Sequence, residues 1–190
     1  MKIAFIGTHG VGKTTLCYDL ASRLKRQDRV VELVQEVARA CPLPINRETT
    51  LQAQAWILHS QIAYEIAATA AGGIVICDRS VLDNYAYLVQ QAGRRAEYDA
   101  LVREWVTTYD FLFKVPIIHP PAFDGKRDTN QGFQHDIDVG IDALAAEFGV
   151  ECHRLDSADR NSWVDTILTA SGLPLQPPQI ELFRARGGAQ

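Results

Sequence analysis

The sequence has no long apolar run, and this absence excludes a first large class of proteins. No stretch approaches the roughly 18 consecutive apolar residues that a membrane-spanning helix needs. The apolar stretch directly before Gly7 is only four residues long, and a signal-peptide core needs about 7 residues. We therefore expect no membrane association and a chain that stays in the cytoplasm.

Closely spaced cysteines and histidines are also missing. The four cysteines, Cys17, Cys41, Cys77 and Cys152, form no C-x-x-C pair, and the five histidines show no H-x-H or H-E-x-x-H spacing. Zinc sites and disulfide-rich folds depend on such spacings. The sequence therefore predicts reduced thiols and no zinc site.

Positive charge is not in excess. The chain has 19 Lys and Arg residues against 23 Asp and Glu residues, which gives a formal net charge of −4. A mildly acidic surface does not favour binding to the phosphate backbone of a duplex, so we expect no duplex nucleic acid among the partners. The 190 residues, of which 47% are hydrophobic, instead suit one soluble globular domain.

Short apolar segments alternate with helical patterns along most of the chain. The predicted strands are residues 2–6, 29–34, 74–77, 111–115 and 151–155. The first predicted helix follows the glycines after residue 6, and the later ones span 48–71, 81–91, 95–107, 131–148 and 159–170. The longest helix is indicated by apolar residues at helical spacing, which are Leu51, Ala55, Leu58, Ile62 and Ile66.

This alternation predicts an α/β fold of three layers, a parallel sheet of about five strands with helices on both faces. We assign residues 1–172 to one domain with a polar loop over 116–130, and the proline- and glycine-rich residues 173–190 to a C-terminal tail. Ligands of such sheets bind beyond the carboxyl ends of the strands. Functional residues are therefore expected directly after the predicted strands.

A glycine-rich loop follows the first predicted strand. It matches the pattern G-x-x-x-x-G-K-[ST], which predicts a binding site for a nucleoside triphosphate formed by Gly7, Thr8, His9, Gly10, Val11, Gly12, Lys13, Thr14 and Thr15. Glycines let the backbone curl so that N–H groups point at phosphate oxygens, and the following helix directs its positive end at the same place. The alternative, a plain glycine turn, is disfavoured because the loop has the strand–loop–helix context that phosphate binding needs.

The motifs of a GTPase switch are absent. No glycine has an aspartate three residues before it, so the D-x-x-G motif is missing. Residues 125–128 resemble the guanine-reading pattern N/T-K-x-D, but Gly125 has no side chain with which to make that contact. Three classes stay open at this point: a kinase, an ATPase that acts as a regulatory or partner-binding module, and a nucleotide-binding protein without turnover.

A second polar site follows the third predicted strand. The apolar run 74–77 is followed by Asp78, Arg79 and Ser80. A carboxylate at this place would lie beside the Mg²⁺ of a bound nucleotide, and Arg79 adds a permanent charge suited to a phosphate or a reacting hydroxyl. Taken alone, the two residues could equally be a solvated ion pair at a strand end. The phosphate loop upstream favours the functional interpretation.

Together these motifs resemble those of the P-loop nucleoside and nucleotide kinases. The chain has G-x-x-x-x-G-K-T near its start, D-R-S about seventy residues later, and a basic loop before a helix. Thymidylate kinases carry D-R-[YHS] at the second place, and deoxynucleoside kinases carry E-R-S. The chain is similar in particular to the ribosylnicotinamide-kinase-like domains of NAD metabolism, which are also described as AAA-type ATPase or kinase domains.

Three further features carry the likeness to those domains. They share a Glu-x-x-Arg after the second strand, here Glu36 and Arg39, and an apolar strand ending in C-D. They also share a long helix that contains glutamines, here Gln52, Gln54 and Gln61. The resemblance covers about residues 1–156 and implies the P-loop NTPase fold.

For the nucleotide side of the site, the resemblance implies that Lys13 and Thr14 hold the phosphates and Mg²⁺. Asp78 would assist the metal or orient the acceptor hydroxyl. Arg79 would bind the acceptor or the γ-phosphate. The segment 116–130 would be a lid that brings Lys126 and Arg127 over the transferring phosphoryl group.

For the acceptor side, the resemblance implies that Glu36 is a general base or an acceptor-binding carboxylate, accompanied by Arg39. The alternative for Glu36 is a carboxylate that only stabilises a helix N-terminus. Gln54 and Gln61 lie seven residues apart, so they share a helix face that could read a base or an amide, or could equally face solvent.

The sequence therefore predicts an ATP- and Mg²⁺-dependent kinase that acts on a small nucleoside-like or nucleotide acceptor. The alternative is a P-loop ATPase with a regulatory or partner-binding role and no small-molecule acceptor. The sequence leaves open whether the chain forms a homodimer.

Overall fold

The computed structural model of the chain describes residues 1–45, 48–119 and 130–177. Its centre is a sheet of five strands in the order β2-β3-β1-β4-β5, and all neighbouring strands pair in parallel. The strands are β1 (Lys2–Ile6), β2 (Val31–Val34), β3 (Ile74–Asp78), β4 (Phe111–Lys114) and β5 (His153–Arg154). The predicted parallel sheet is thus confirmed.

Helices connect the strands and cover both faces of the sheet. They are α1 (Lys13–Lys25), α2 (Leu51–Ala71), α3 (Val81–Ala92), α4 (Ala96–Trp105), α5 (Gln131–Phe148) and α6 (Trp163–Ala170). Within the described ranges, no helix is long and apolar enough to cross a lipid bilayer. The three-layer P-loop NTPase architecture predicted from the sequence is confirmed.

Successive residues of the central strand belong to two separate cores, as the pleat of a strand requires. Ile3 and Phe5 pack in a cluster with residues of α1 and α6. Ala4 and Ile6 pack in the other cluster, with residues of α3 and α5. Because β1 is completely buried, the loop that follows it starts from a rigid base.

The buried face of α2 coincides only in part with its apolar residues, of which Leu51 and Ile62 are half-buried against the core. Leu58 is fully buried, but Ile66 is 55% exposed. The buried residues of the helix are instead Ala53, Gln54, Ile57, Leu58, Gln61 and Glu65. The polar members of this face all find hydrogen-bond partners in the interior, which removes the usual penalty for burying them. Hydrophobic periodicity alone therefore does not locate the buried face of α2.

Several element boundaries differ from the expected ones. The long helix starts at Leu51 rather than 48, because the Thr50 side chain accepts a hydrogen bond from the Ala53 N–H and caps the helix there. β5 has only two residues. The last helix starts at Trp163, after a short 3₁₀ turn over Arg160–Ser162.

The remaining predictions on domain organisation fall partly outside the described residues. Residues 120–129 of the predicted lid lie outside them, and so does the tail from residue 178 onward. At the start of the predicted tail, Gln27 donates a hydrogen bond of 2.8 Å to the Pro174 carbonyl. The side chain of Arg23 donates one of 3.1 Å to the Leu175 carbonyl. Residues 174 and 175 therefore contact α1 and the turn directly after it, and the boundary at 172 stays a prediction.

The turn between α2 and β3 packs closely against the residue before β2, and this close approach can be tested. Gly72 and Gly73 have φ angles of +87° and +89°. A Cβ on Gly73 would lie 2.5 Å from the Val30 carbonyl oxygen, whereas one on Gly72 would meet nothing within 4 Å. The Val30 carbonyl cannot move away freely, since it accepts the hydrogen bond of the Ile74 N–H.

We therefore expect Gly73→Ala to lower the free energy of unfolding by at least about 3 kcal/mol, since a backbone clash adds to the strain. The matched variant Gly72→Ala meets only the backbone strain of about 1–3 kcal/mol. Urea unfolding of both variants measures the difference. Equal losses in the two variants would contradict the close approach of Val30.

Candidate active site

The glycine-rich loop after β1 is wrapped around the ammonium group of Lys13. The Lys13 side chain is buried, and its Nζ donates hydrogen bonds to the carbonyls of Gly7 at 2.7 Å and Thr8 at 2.5 Å. Gly7 packs so closely on Val115, the residue after β4, that a Cβ would lie 2.8 Å from the Val115 carbonyl oxygen. Gly10 and Gly12 also have positive φ. The loop therefore has the curled form in which main-chain N–H groups can surround a phosphate.

The surroundings of Lys13 disfavour the protonated, charged form of its side chain. Burial, helped by the nearby charge of Arg79, lowers the pKa of Lys13 to about 8, while Asp83 and Asp78 act in the opposite direction. An anion bound in the loop would stabilise the protonated ammonium and reverse this shift. Without a bound anion, the nearby carboxylates therefore compensate the positive charge of Lys13 only in part.

Thr14 and Asp78 meet at the mouth of the loop. The Thr14 hydroxyl donates a 2.5 Å hydrogen bond to Oδ2 of Asp78, which ends β3. Burial raises the pKa of Asp78, against the opposing effects of Lys13 and the Thr14 hydrogen bond. Two hard oxygen donors at this place suit Mg²⁺, which commonly takes one or two protein oxygens together with the phosphates of a nucleotide.

Arg79 is the most constrained residue of the site. Its φ is +98°, a region that side-chain-bearing residues enter only when their surroundings force them. Its Nε and Nη2 lie 2.9 and 2.8 Å from Oε1 of Glu36, and its guanidinium lies 5.0 Å from the centre of the Tyr87 ring. Nη1 is buried and has no hydrogen-bond partner among the described residues.

Burial alone would lower the pKa of Arg79, but the neighbouring Tyr87, Glu36 and Asp83 raise it above its ordinary value. Arg79 therefore stays charged. A buried donor without a partner costs stability, and an anion in the adjoining cavity could supply that partner.

Glu36 is held between two arginines. It follows β2, and its second oxygen accepts a 2.7 Å hydrogen bond from Nε of Arg39. Burial by itself raises the pKa of Glu36, but Arg79, Lys13 and Arg39 outweigh burial and lower the pKa to about 2. Glu36 is therefore ionised at neutral pH and is a weak base in the resting protein.

One cavity joins these groups. It has a volume of about 270 Å³ and opens between the phosphate loop and the ends of β2 and β3. Its polar lining includes Lys13, Thr14, Thr15, Glu36, Arg39, Gln54, Asp78, Arg79, Asn84 and Gln91, and its apolar lining includes Ile57, Tyr87 and Phe133. The structure thus brings most of the predicted site residues to a single place.

Among the predicted site residues that the structure describes, Gly7, Thr8 and Gln61 do not line the cavity. Gln54 does line it, and its Nε2 donates to the Thr49 hydroxyl at 2.9 Å. Gln61, expected on the same face, is fully buried behind Arg79, and its Nε2 donates to Glu65 and to the Arg79 carbonyl. Its amide is thus occupied by protein partners, which corrects the expectation that it reads a ligand. Arg127 lies outside the described residues.

The sequence interpretation missed Asp83, which is completely buried. Its Oδ1 accepts from the Gly7 N–H at 2.8 Å, and its Oδ2 accepts from Ser80. Ser80 and Asp83 form a capping box at the start of α3. The pattern S-x-x-D after a strand signals such a box and could have revealed this link between the phosphate loop and α3.

It also missed the residues that surround His9. Tyr87 accepts a 3.1 Å hydrogen bond from the His9 N–H through its hydroxyl, and Gln134 of α5 donates one of 2.9 Å to the His9 carbonyl. The ring of Phe133 lies 5.8 Å from that of His9. These contacts join residues far apart in the chain, so no local sequence pattern could have predicted them.

On the other side of the loop lies a further cation. A Cβ on Gly12 would lie 3.0 Å from Nη2 of Arg160. Arg160 precedes α6, and its guanidinium lies 5.7 Å from the Trp163 ring. It was also missed, because nothing in the sequence near residue 160 points to the phosphate loop.

Comparison with known proteins agrees with this geometry. A family model described as an AAA domain matches residues 2–162. No curated protein matches the chain. Deoxyadenosine kinase from M. mycoides with the products dCMP and a flexible dCDP bound shares 16% identity with a TM-score of 0.66, over 90% of this chain and 99% of that one. The structure of that kinase with bound dATP shares 14% identity with a TM-score of 0.65, over the same shares of the two chains.

A third structure is that of the NadR protein in complex with NR. It shares 19% identity with a TM-score of 0.73, over 94% of this chain and 54% of the NadR chain, so this chain spans about half of that protein. At such identities the likeness demonstrates a shared fold. Since the family model extends from β1 past β5 and includes both the phosphate loop and the Asp78–Arg79 pair, the chain belongs to the AAA domain family and has the P-loop fold of the nucleoside kinases.

Proposed function

We propose that this protein is a cytoplasmic kinase that transfers the γ-phosphoryl group of ATP to a small nucleoside-like or nucleotide acceptor. The observation that carries the proposal is the shared cavity: the phosphate loop and the Glu36–Arg79 pair line the same space. A loop that binds a triphosphate next to a polar pocket is the arrangement that phosphoryl transfer to a bound acceptor needs.

The size and lining of the cavity support a small acceptor. Its volume of about 270 Å³ lies near the lower end of the roughly 300–1,000 Å³ of small-molecule sites. Tyr87 and Phe133 offer aromatic surface, while Gln54 and Gln91 offer amides. The neighbouring structures support the same class, since one is a deoxyadenosine kinase with bound nucleotides and another is NadR in complex with NR.

Thr14 and Asp78 would hold Mg²⁺ together with the nucleotide, because their oxygens meet at the mouth of the loop. Bound there, Mg²⁺ would neutralise charge on the β- and γ-phosphates. Lys13 would leave the Gly7 and Thr8 carbonyls and bind the same phosphates. Lys126 and Arg127, from the segment proposed as a lid, would complete the cation set and exclude water.

Arg79 and Glu36 would act at the acceptor side of the transfer. Nη1 of Arg79, which has no hydrogen-bond partner in the described part of the chain, would bind the γ-phosphoryl group or the acceptor. Glu36 would accept a hydrogen bond from the acceptor hydroxyl, with Arg39 beside it. Because the pKa of Glu36 is about 2, we assign it acceptor binding rather than proton abstraction in the resting site. Transfer of Arg79 to a phosphate would free Glu36 and raise its basicity.

The alternative is an ATPase that serves a regulatory or partner-binding role. The polar pocket beyond the phosphate loop favours the kinase, since an ATPase has no need of a separate acceptor site. A panel of nucleosides and nucleotides, including ribosylnicotinamide, separates the two by acceptor-dependent ADP formation. We expect at least one compound to accelerate ADP formation, and no acceleration in Asp78→Asn. ATP turnover at one rate whatever compound is added would favour the ATPase.

Replacing the loop lysine tests triphosphate binding directly. We expect Lys13→Ala to weaken ATP binding by roughly 100-fold, since it removes a charge-assisted contact to the phosphates. Isothermal titration calorimetry with ATP and Mg²⁺ measures this. Lys25→Ala, at the exposed far end of the same helix, is the matched control and should bind ATP like the unmodified protein. Retained ATP affinity in Lys13→Ala would refute the assignment of the loop.

Removing the charge of Glu36 tests the acceptor side. We expect Glu36→Gln to reduce kcat/KM for the acceptor by roughly 10- to 100-fold, the worth of a hydrogen bond to a charged group, while the ATP affinity changes less than about twofold. Steady-state kinetics and ATP titration measure the two effects. Glu32→Gln, on β2 four residues earlier in the chain, should change neither. A loss of ATP affinity equal to the loss of transfer would contradict an acceptor role.

A further inference from the structure

The segment from Arg79 to Val81 is held in place by hydrogen bonds at every residue. Gln61 Nε2 donates to the Arg79 carbonyl at 3.2 Å. The Ser80 N–H donates to Asp83 at 2.9 Å, and the Val81 N–H donates to the Tyr109 hydroxyl at 3.0 Å. A backbone at φ +98° persists only when its surroundings over-determine it. These three hydrogen bonds supply that constraint.

Two of the three partners converge on one buried carboxylate. Oε1 of Glu65 accepts from Gln61 at 2.9 Å and from the Tyr109 hydroxyl at 2.6 Å. Its Oε2 accepts from Lys2 at 2.9 Å and from the Trp105 indole at 2.8 Å. Glu65 has no exposed surface. Gln61, Glu65 and Tyr109 therefore form one connected unit, which we call the clamp.

Stability alone is a weak explanation for the clamp. A buried ion pair such as Lys2–Glu65 often contributes no more than apolar residues of the same volume would. None of the three clamp residues lines the cavity, so they do not bind a ligand there. The clamp reaches the backbone of Arg79, whose guanidinium faces both Glu36 and the cavity. Its other link to the cavity is a long hydrogen bond of 3.5 Å from the Asn84 amide to Oε1 of Gln61.

We propose that Gln61 and Tyr109, joined through Glu65, are positioning residues that hold the backbone of Arg79 in its strained form and so aim its guanidinium at the reacting groups. The inference rests on the proposed function, because phosphoryl transfer is its main readout. The clamp is built from α2 and from Tyr109, two residues before β4, and none of its residues lines the cavity beside the phosphate loop. A change in the clamp should therefore affect transfer and leave the binding of ATP alone.

The test is Gln61→Leu, which keeps the volume and removes the amide. We expect kcat to fall roughly 10- to 100-fold, as small misplacements of catalytic groups do, while the dissociation constant of ATP changes less than about twofold. In an Arg79→Ala background, the same substitution should reduce kcat by less than about twofold further. Tyr109→Phe, which removes only the hydroxyl, should reproduce the effect, and it carries the test should Gln61→Leu not fold.

Trp105→Phe is the matched control. It removes a hydrogen bond to the other oxygen of Glu65 and leaves the Lys2 bond in place, so we expect a lower Tm and an unchanged kcat. An unchanged kcat in folded Gln61→Leu or Tyr109→Phe would overturn the proposal. An equal further loss in the Arg79→Ala background would also overturn it, because the effect would then not pass through Arg79.

Amide hydrogen exchange separates this inference from the proposed function, since it needs no substrate. We expect the Ser80 and Val81 amides to exchange at least about tenfold faster in Gln61→Leu and Tyr109→Phe than in Trp105→Phe. If the unmodified protein phosphorylates no acceptor, the proposed function fails, and faster exchange in the clamp variants still supports the clamp. Equal exchange in all three variants would refute the clamp whatever the enzyme assays show.

Discussion

The carboxyl edge of the sheet must keep Lys13 and Arg79 buried and charged while no anion is bound. Burial opposes both charges, whereas the nearby carboxylates of Glu36, Asp78 and Asp83 stabilise them. The compensation is incomplete, because the pKa of Lys13 is still lowered and one nitrogen of Arg79 has no partner among the described residues. An edge built in this way favours a polyanion, which would supply the missing negative charge.

This balance also explains why the residues of the site do not act singly. Glu36 is a weak base because Arg79, Lys13 and Arg39 lower its pKa, so its basicity depends in part on where Arg79 points. Arg79 in turn is aimed by a backbone that its own conformational preferences disfavour. Hydrogen bonds thus link the site to the interior of α2, where Gln61 and Glu65 are buried away from the cavity.

The fold and half of the site follow from local patterns in the chain. The strands, the order of strand and helix, the phosphate loop and the pair Asp78–Arg79 were all predicted, because apolar runs and glycine spacing act over a few residues. The buried face of α2 was not, since Gln54, Gln61 and Glu65 look like surface residues until their partners are known. Partners such as Lys2 and Tyr109 lie 63 and 44 residues away from Glu65 in the chain. Hydrophobic periodicity describes a single helix or strand and cannot predict such distant pairs.

By itself, the sequence determined that a phosphate loop stands between a buried strand and a helix, because that geometry is encoded in eight adjacent residues. Only the tertiary structure decided what faces the loop. Folding places Glu36 against Arg79, Asp83 beneath Gly7 and Arg160 beside Gly12. The reason is physical: parallel strands bring their carboxyl ends to one edge, and the charges collected there can be balanced only by groups that meet in space.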